Sequence, residues 1–503
     1  MMYAVYLSMV VYGGMLLFIL LYSIVQFTLL RAYIKRKQPV EREYHDVMYP
    51  MVTIQLPVYN ERYVVERLLD AAASFDYPVD RFEVQVLDDS TDDTVQLVKA
   101  RIDALKHTGV HISHVRRGNR DGFKAGALAY GLASAKGEFI AIFDADFIPD
   151  PDFLKRTLPH FSDPRTGVVQ CRWGHVNREY SMLTRLQAFG LDAHFTVEQG
   201  GRNAKGYFIN FNGTAGVWRK SCIEDAGGWR ADTLTEDLDL SYRAQLKGWK
   251  FNYLEDVVCP AELPGTMDAL RSQQFRWTKG AAETARLLLP QVIRKKGLSR
   301  AHRLHAFFHL MNSFVFVCIL GTALMSIPML TFKHTLIGDH WVFRFAGVFL
   351  LSFVVLLAFY YAAWHRSGKA KNRSFLPQFI MFLSLSMGMS LHNALAVIEA
   401  WLGRKTPFVR TPKLNIGKGD SGGNILYRSA RVSWLTWVEL LFAVYFAWGC
   451  HLAWVYGDFG LFPYHVLLCA GFGSVSMYGI SHALIARRKW MHADEQVQIT
   501  ARS

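Results

Sequence analysis

From Met1 to Leu30 the chain carries no charged side chain, a run longer than the roughly 20 apolar residues that take a helix across a bilayer core. Backbone polar groups in lipid must be satisfied within the segment, so such a run is expected to be a helix. Cleavage as a signal peptide fits poorly, because the basic cluster Arg31, Lys35, Arg36 and Lys37 follows the apolar run instead of preceding it. Five further uncharged runs cover 304–332, 345–365, 374–398, 440–457 and 459–486.

Charge decides which of these span. With 31–303 cytoplasmic, the loop 366–373 (Arg366, Lys369, Lys371, Arg373) returns to that side after two crossings. The stretch after residue 398, with Arg404, Lys405, Arg410, Lys413, Lys418, Arg428 and Arg431, is equally basic and belongs there too. One crossing between two basic loops would break the positive-inside rule. The segment 374–398, which holds Pro377, Gln378, Ser384, His392 and Asn393, is therefore expected at the interface. Five spans result. The net charge of +14 follows from cytoplasmic loops facing an anionic leaflet and requires no nucleic acid. Six cysteines without a Cys-x-x-Cys pair argue against a zinc site or a disulfide framework.

From about residue 50 the pattern changes to short β-rich runs at 52–58, 82–88, 111–116, 139–144 and 167–173, alternating with amphipathic helices. That alternation predicts an α/β sheet of parallel strands. Ligands of such sheets bind beyond the carboxyl ends of the strands. The residues there are acidic: Tyr59-Asn60-Glu61, Asp88-Asp89-Ser90 and Asp144-Ala145-Asp146. Carboxylates gathered along one edge repel each other unless a cation intervenes. Mg²⁺ uses one or two protein carboxylates and takes its other ligands from phosphate and water, which suits Asp144 and Asp146; Mn²⁺ accepts the same oxygen donors. A calcium loop would want Gly and Glu where Pro149 and Lys155 stand. No glycine-rich dinucleotide loop follows the first strand. Ser90 is expected to cap the next helix. In the basic stretch Arg116–Ala127, Lys124 opens a helix beside the acidic edge and is the preferred phosphate ligand.

Further on, Thr235 is expected to cap a helix whose first turn holds Glu236, Asp237 and Asp239. Gln273, Arg276 and Trp277 stand at i, i+3 and i+4 and share one helical face. A guanidinium and an amide beside an indole suit diphosphate binding with sugar stacking.

With Asp144-Ala145-Asp146, Thr235-Glu236-Asp237 and Gln273-Gln274-Phe275-Arg276-Trp277 in this order, the chain resembles the processive family 2 glycosyltransferases that include cellulose, hyaluronan and chitin synthases. The segment Phe211-Asn212-Gly213-Thr214-Ala215-Gly216-Val217-Trp218-Arg219 brings it nearest to the plant cellulose-synthase-like A and C groups. The resemblance runs from about 50 to 290, with weaker support to 415. It implies an α/β domain of the GT-A glycosyltransferase type at 48–290, inserted between transmembrane helices. A span at 1–30 precedes it. Two spans within 304–365, an interfacial helix at 374–401, a cytoplasmic gating-type loop at 402–432 and two spans within 434–486 follow.

The implied activity is inverting, processive hexosyl transfer from a nucleotide sugar, UDP-glucose or GDP-mannose, to a growing β-linked polysaccharide that leaves through the membrane. In that scheme Asp237 is the catalytic base. Asp88, Asp89, Lys124, Asp144, Gln273 and Arg276 bind the nucleotide sugar, and Asp144 and Asp146 hold a divalent metal, Mg²⁺ or Mn²⁺. Phe211, Asn212, Gly213, Thr214, Glu236 and Trp277 hold the acceptor. The gating loop is represented by Phe408, Thr411 and Lys413, with Arg410 where the family pattern has Val. The alternative is a non-processive transferase that glycosylates a membrane lipid. A nucleotide-sensing transporter is a third class, and it matches less well. Transporters place ionisable residues deep in spans, whereas Arg344 and Glu439 fall near span ends.

Overall fold

The computed structural model describes residues 2–36, 49–338, 346–367, 374–406, 413 and 432–500. Helix α1 (Met2–Ile34) is followed by β1 (Val52–Val58), α2 (Val65–Ala73), β2 (Phe82–Asp88), α3 (Thr94–Leu105), β3 (His111–Val115), α4 (Phe123–Ser134), β4 (Phe139–Ile142), α5 (Phe153–Thr157) and β5 (Thr166–His175). Then come α6 (Met182–Ala193), α7 (Gln199–Lys205), β6 (Gly216–Arg219), α8 (Lys220–Asp225), α9 (Glu236–Leu246) and β7 (Lys250–Ala261). The strands form one seven-stranded sheet in the order β3-β2-β1-β4-β6-β5-β7.

Strand β1 lies in the sheet interior and is buried nearly throughout, as a strand covered on both faces must be. Alternation along the strands divides the apolar side chains between two cores. Phe139, Ala141 and Phe143 join Ile54, Leu56 and Leu68 on one face. Ile140 and Ile142 join Leu128, Trp218 and Leu240 on the other. The sheet is mixed, which corrects the expectation of parallel strands throughout: β6 runs antiparallel to both of its neighbours, β4 and β5. Neither β6 nor β7 was among the expected strands. β6 has only four residues, and Lys250, Glu255 and Asp256 interrupt the apolar alternation of β7.

Helix α10 (Met267–Arg294) leaves the sheet and leads through α11 (Arg300–Leu310) to α12 (Phe314–Phe332), α13 (Leu350–Arg366), α14 (Phe375–Gly388), α15 (Ser390–Trp401), α16 (Trp434–Val455) and α17 (Phe462–Thr500). Among the described residues, five helical segments are long and apolar enough to cross a bilayer: Met2–Ile34, Phe314–Leu336, Gly347–Arg366, Trp434–Val455 and Phe462–Ile485. The uncharged run 304–332 proves to be two elements. Its first part belongs to α11, which docks on the sheet domain through His309 Nδ1 and the Tyr242 hydroxyl at 2.8 Å, so the span starts at Phe314. The single helix expected at 374–401 is likewise two, α14 and α15, bent by 44°. A Cβ on Gly388 of α14 would lie 2.4 Å from the carbonyl oxygen of Gly471 in α17, so glycine lets these helices meet backbone to backbone.

Helix α10 is fastened to this bundle. Arg271 pairs with Glu439 of α16 and donates to Thr436 Oγ1 at 3.1 Å. Lys279 pairs with Glu399 of α15 at 3.0 Å, and Arg286 donates to the Ala400 carbonyl at 2.9 Å.

Candidate active site

The carboxyl ends of β1, β2 and β4 open onto a cavity of about 200 Å³, walled on the far side by α9 and α10. Just past β4, the Asp144 amide donates to Thr214 Oγ1 at 2.9 Å. Its carboxylate Oδ1 accepts from Lys124 Nζ at 2.5 Å, and the same ammonium donates to the Gly213 carbonyl at 2.8 Å. Gly213 has φ +80°, and a Cβ there would sit 3.2 Å from Asp237 Oδ2 and 3.4 Å from Lys124 Nζ. Absence of a side chain thus lets the acid of α9 and the lysine of α4 close on one point. Asn60 after β1, Phe123 at the start of α4 and Ala215 just before β6 all have positive φ. Such conformations cost about 1–3 kcal/mol for a non-glycine residue and persist where the surroundings enforce them.

Burial, and next the neighbouring Glu236, push the Asp237 carboxyl up to about 7, with Lys124 opposing. Burial likewise raises Glu236. Burial alone would lower Lys124, but Asp144 and Glu236 more than offset it and leave the ammonium above its ordinary value. For Arg276 burial prevails and the guanidinium falls, although Glu236 and Asp144 support its charge. Asp146 Oδ2 accepts from the Glu262 amide at 3.1 Å and from Lys413 Nζ at 2.7 Å.

The donor set fits a divalent cation. Among the described residues, protein hydrogen bonds engage one oxygen of each carboxylate, Asp144 Oδ1 and Asp146 Oδ2. No group of three or more His, Cys, Asp or Glu converges among them, so the remaining ligands would be phosphate and water, as Mg²⁺ prefers.

Residues 50–280 match the sequence profile described as Glycosyltransferase like family 2. A glucomannan 4-beta-mannosyltransferase from Oryza sativa subsp. japonica is 39% identical over 73% of this chain and 70% of its own length. The chain belongs to glycosyltransferase family 2. A second glucomannan 4-beta-mannosyltransferase, from Arabidopsis thaliana, is 36% identical over 84% of this chain and 80% of its own. A mannosyltransferase from Pyrobaculum calidifontis, solved with GDP-Man and Mn²⁺, shares the fold: TM-score 0.55 at 19% identity, covering 79% of this chain and 100% of that one. The protein is therefore a nucleotide-sugar-dependent transferase.

The family 2 cleft gathers most of the residues selected from the sequence. Asp89, Lys124, Asp144, Asp146, Asn212, Gly213, Glu236, Asp237, Gln273, Arg276, Trp277 and Lys413 all line it. Three do not. Asp88 is turned into the protein, where it accepts from the Ser90 amide and meets His114 Nε2, both at 2.8 Å. Phe211 is buried against Trp218. Thr214, also buried, holds the Asp144 amide instead of facing an acceptor. Phe408, Arg410 and Thr411 lie outside the described residues.

Two capping expectations also fail. Ser90 Oγ accepts from the Asn60 amide at 2.8 Å, while Asp92 serves the Thr94 amide at the start of α3. Thr235 precedes α9 but makes no side-chain cap, and its hydroxyl meets Thr284 Oγ1 at 3.3 Å.

The sequence reading missed Arg120, whose guanidinium lies 3.3 Å from the Tyr59 ring centre. It also missed Trp173, His175 and Glu262 in the cavity wall. The strand-end rule could have found Trp173 and His175 at the end of β5. Nothing local distinguishes Arg120 from its basic neighbours.

Proposed function

We propose that the protein is a membrane-integrated, inverting β-glycan synthase that adds mannosyl units from GDP-mannose to a growing polysaccharide and passes the product through its spans. One observation carries the chemistry: Asp237, a half-buried carboxylate with a raised pKa, faces Lys124 across Gly213, and Lys124 in turn holds Asp144. The names of the mannosyltransferase relatives support the donor.

Asp237, as carboxylate, takes the proton of the acceptor hydroxyl while that oxygen forms its bond to the anomeric carbon. The bond from that carbon to the diphosphate oxygen breaks on the opposite face, and its electron pair leaves with the nucleoside diphosphate. Lys124 and Arg276 supply positive charge where that negative charge grows. Asp144 and Asp146 would hold a divalent cation, whose chemistry is further neutralisation of the diphosphate. Trp277, with Trp173 at 6.2 Å between ring centres, offers the acceptor sugar an aromatic wall. Lys413 itself reaches Asp146 at 2.7 Å, in keeping with a gating role. The bent pair α14–α15 lies along the interface, and the sheet domain is cytoplasmic.

The test is a donor panel with the purified chain in lipid: radiolabelled GDP-mannose, UDP-glucose or UDP-N-acetylglucosamine with Mn²⁺ or Mg²⁺, scored for high-molecular-weight product. Polymer from GDP-mannose is expected, with Asp237→Asn slowing transfer by about 10²–10⁴-fold while nucleotide binding persists. Label extractable only as a lipid-linked sugar would replace the polymer reading with the lipid acceptor.

A further inference from the structure

A second cavity, of about 720 Å³, lies where the end of α1 meets α7, outside the catalytic cleft. Gly200 and Ala204 of α7 and Ala32 of α1 line it, and the missing side chain of Gly200 lets Tyr33 and Arg36 pack against α7. Its cationic wall comprises Arg31, Lys35, Arg36 and Lys205. The one carboxylate in the wall, Glu255, is already engaged by Arg36 at 2.7 Å, the Tyr33 hydroxyl at 2.9 Å and Arg366 at 3.1 Å. Arg31, Lys35 and Lys205 make no ion pair among the described residues, and four basic side chains face one carboxylate in the described lining.

Its other property comes from helical spacing. Leu17, Leu21, Ile24, Thr28, Arg31 and Lys35 recur at intervals of three and four, which places them on one stripe of α1. Leu17, Leu21 and Ile24 are 49%, 43% and 43% exposed, while Thr28, Arg31 and Lys35 line the cavity. One helix face therefore runs from an uncovered apolar track into a cationic pocket. That sequence of chemistries matches an amphiphile with an anionic head and an aliphatic tail.

We propose that this cavity binds the phosphate headgroup of an anionic membrane lipid, whose acyl chain lies along Leu17, Leu21 and Ile24. The inference rests on the reading of α1 as a span. Basic pockets at the cytoplasmic ends of membrane helices recognise such headgroups, and Arg36, fixed over the Tyr33 ring at 3.8 Å, gives the pocket a rigid wall.

The test titrates phosphatidic acid into the purified full chain in neutral detergent, read by native mass spectrometry and by thermal unfolding. One saturable lipid is expected, with a raised Tm, and phosphatidylcholine should not substitute. The triple variant R31Q/K35Q/K205Q should bind on the order of a hundredfold more weakly, at roughly fivefold per basic residue. The variant K295Q/K296Q/R300Q, which removes the same charge from the exposed turn before α11 and the first residue of that helix, should bind as the parent does. Ala204→Leu fills the cavity without changing charge and should also weaken binding, which covers the case of a misfolded triple variant. Equal weakening in both triple variants would mean general surface attraction and overturn the proposal. An equal Tm rise from glycerol 3-phosphate would overturn it in favour of a soluble phosphate ligand. Loss of the span reading would show separately, as failure of the parent chain to insert into phosphatidylcholine vesicles.

Discussion

The two walls of the catalytic cleft are assembled by different means. On one side β1, β2 and β4 each deliver acidic or aromatic residues within a few positions of a strand end: Tyr59 and Glu61, Asp89, Asp144 and Asp146. On the other side Asp237 and Arg276 come from α9 and α10, and Lys413 reaches Asp146 from 267 residues away in the chain. The first wall belongs to the sheet and rests on its two cores. The second rests largely on α10, which is held to the helices of the bundle by the buried Arg271–Glu439 pair and by Lys279–Glu399. On the proposed roles, the strand-end wall, which holds Asp89, Lys124 and Asp144, tolerates damage to the bundle and keeps most of the nucleotide affinity, whereas the helical wall, which transfer requires, does not.

Breaking the Arg271–Glu439 pair tests this most severely. Both side chains are nearly fully buried, at 7% and 0% exposure, so Arg271→Met leaves a buried carboxylate without its counter-charge. Removal of one partner of such a pair costs about 3–5 kcal/mol, whereas replacing both by apolar residues is often neutral. Arg271→Met should therefore lower Tm sharply and abolish transfer, and the double change Arg271→Met, Glu439→Leu should recover much of the Tm. Below its unfolding temperature the single variant should still bind nucleotide. A single variant as stable as the double would mean that α10 does not depend on this pair, and the contrast between the walls would fail.

The nucleotide wall was also the legible one. Apolar strands ending in acidic residues announce their function locally, and β1, β2 and β4 were found for that reason. Strand β6 was not, because its four residues sit inside Phe211–Arg219, where no alternation can be established. Local rules failed wherever a tertiary partner outbid them: Ser90 serves the Asn60 amide, and Thr235 turns to Thr284. Asp88 and Asp89 look alike in sequence, yet His114 claims the first and Arg117 the second, the latter with two bonds of 2.8 and 2.6 Å. The turn at Met311–Ser313 escaped notice because no charged residue marks it.

The pH dependence of kcat/KM sharpens the contrast with a smaller effect. Burial and then Glu236 raise Asp237 to about 7, so the base is progressively protonated, and transfer lost, as pH falls through that value. The acid limb should stand near 7, with about a tenfold loss per pH unit below it, and it belongs to the Glu236–Asp237 pair. Glu236→Gln removes a neighbouring negative charge and should move the limb downwards. On the proposed assignment, nucleotide binding uses no proton on Asp237 and rests on Asp89, Lys124 and Arg276, so it should not follow this limb. A limb in the ordinary carboxylate range would place the base elsewhere.

Asp88→Asn gives the smallest effect and asks whether the nucleotide wall has structural members that never meet ligand. Burial alone would raise the Asp88 carboxyl, but the hydrogen bonds from His114 and Ser90 bring it below its ordinary value. A depressed folded pKa means stability that is present above the unfolded value of about 4 and lost as pH falls through the folded one. The variant should lose about 1–3 kcal/mol at neutral pH, since hydrogen bonds to a charged group are disrupted. The loss should shrink in acid, where the parent carboxyl is protonated too. Because the side chain is turned away from the cavity, the dissociation constant for nucleoside diphosphate should stay unchanged, whereas Asp89→Asn, on the cavity surface, should raise it. A weakened nucleotide affinity in Asp88→Asn with normal stability would return Asp88 to the binding set and make the first wall as dependent on ligand contact as the second.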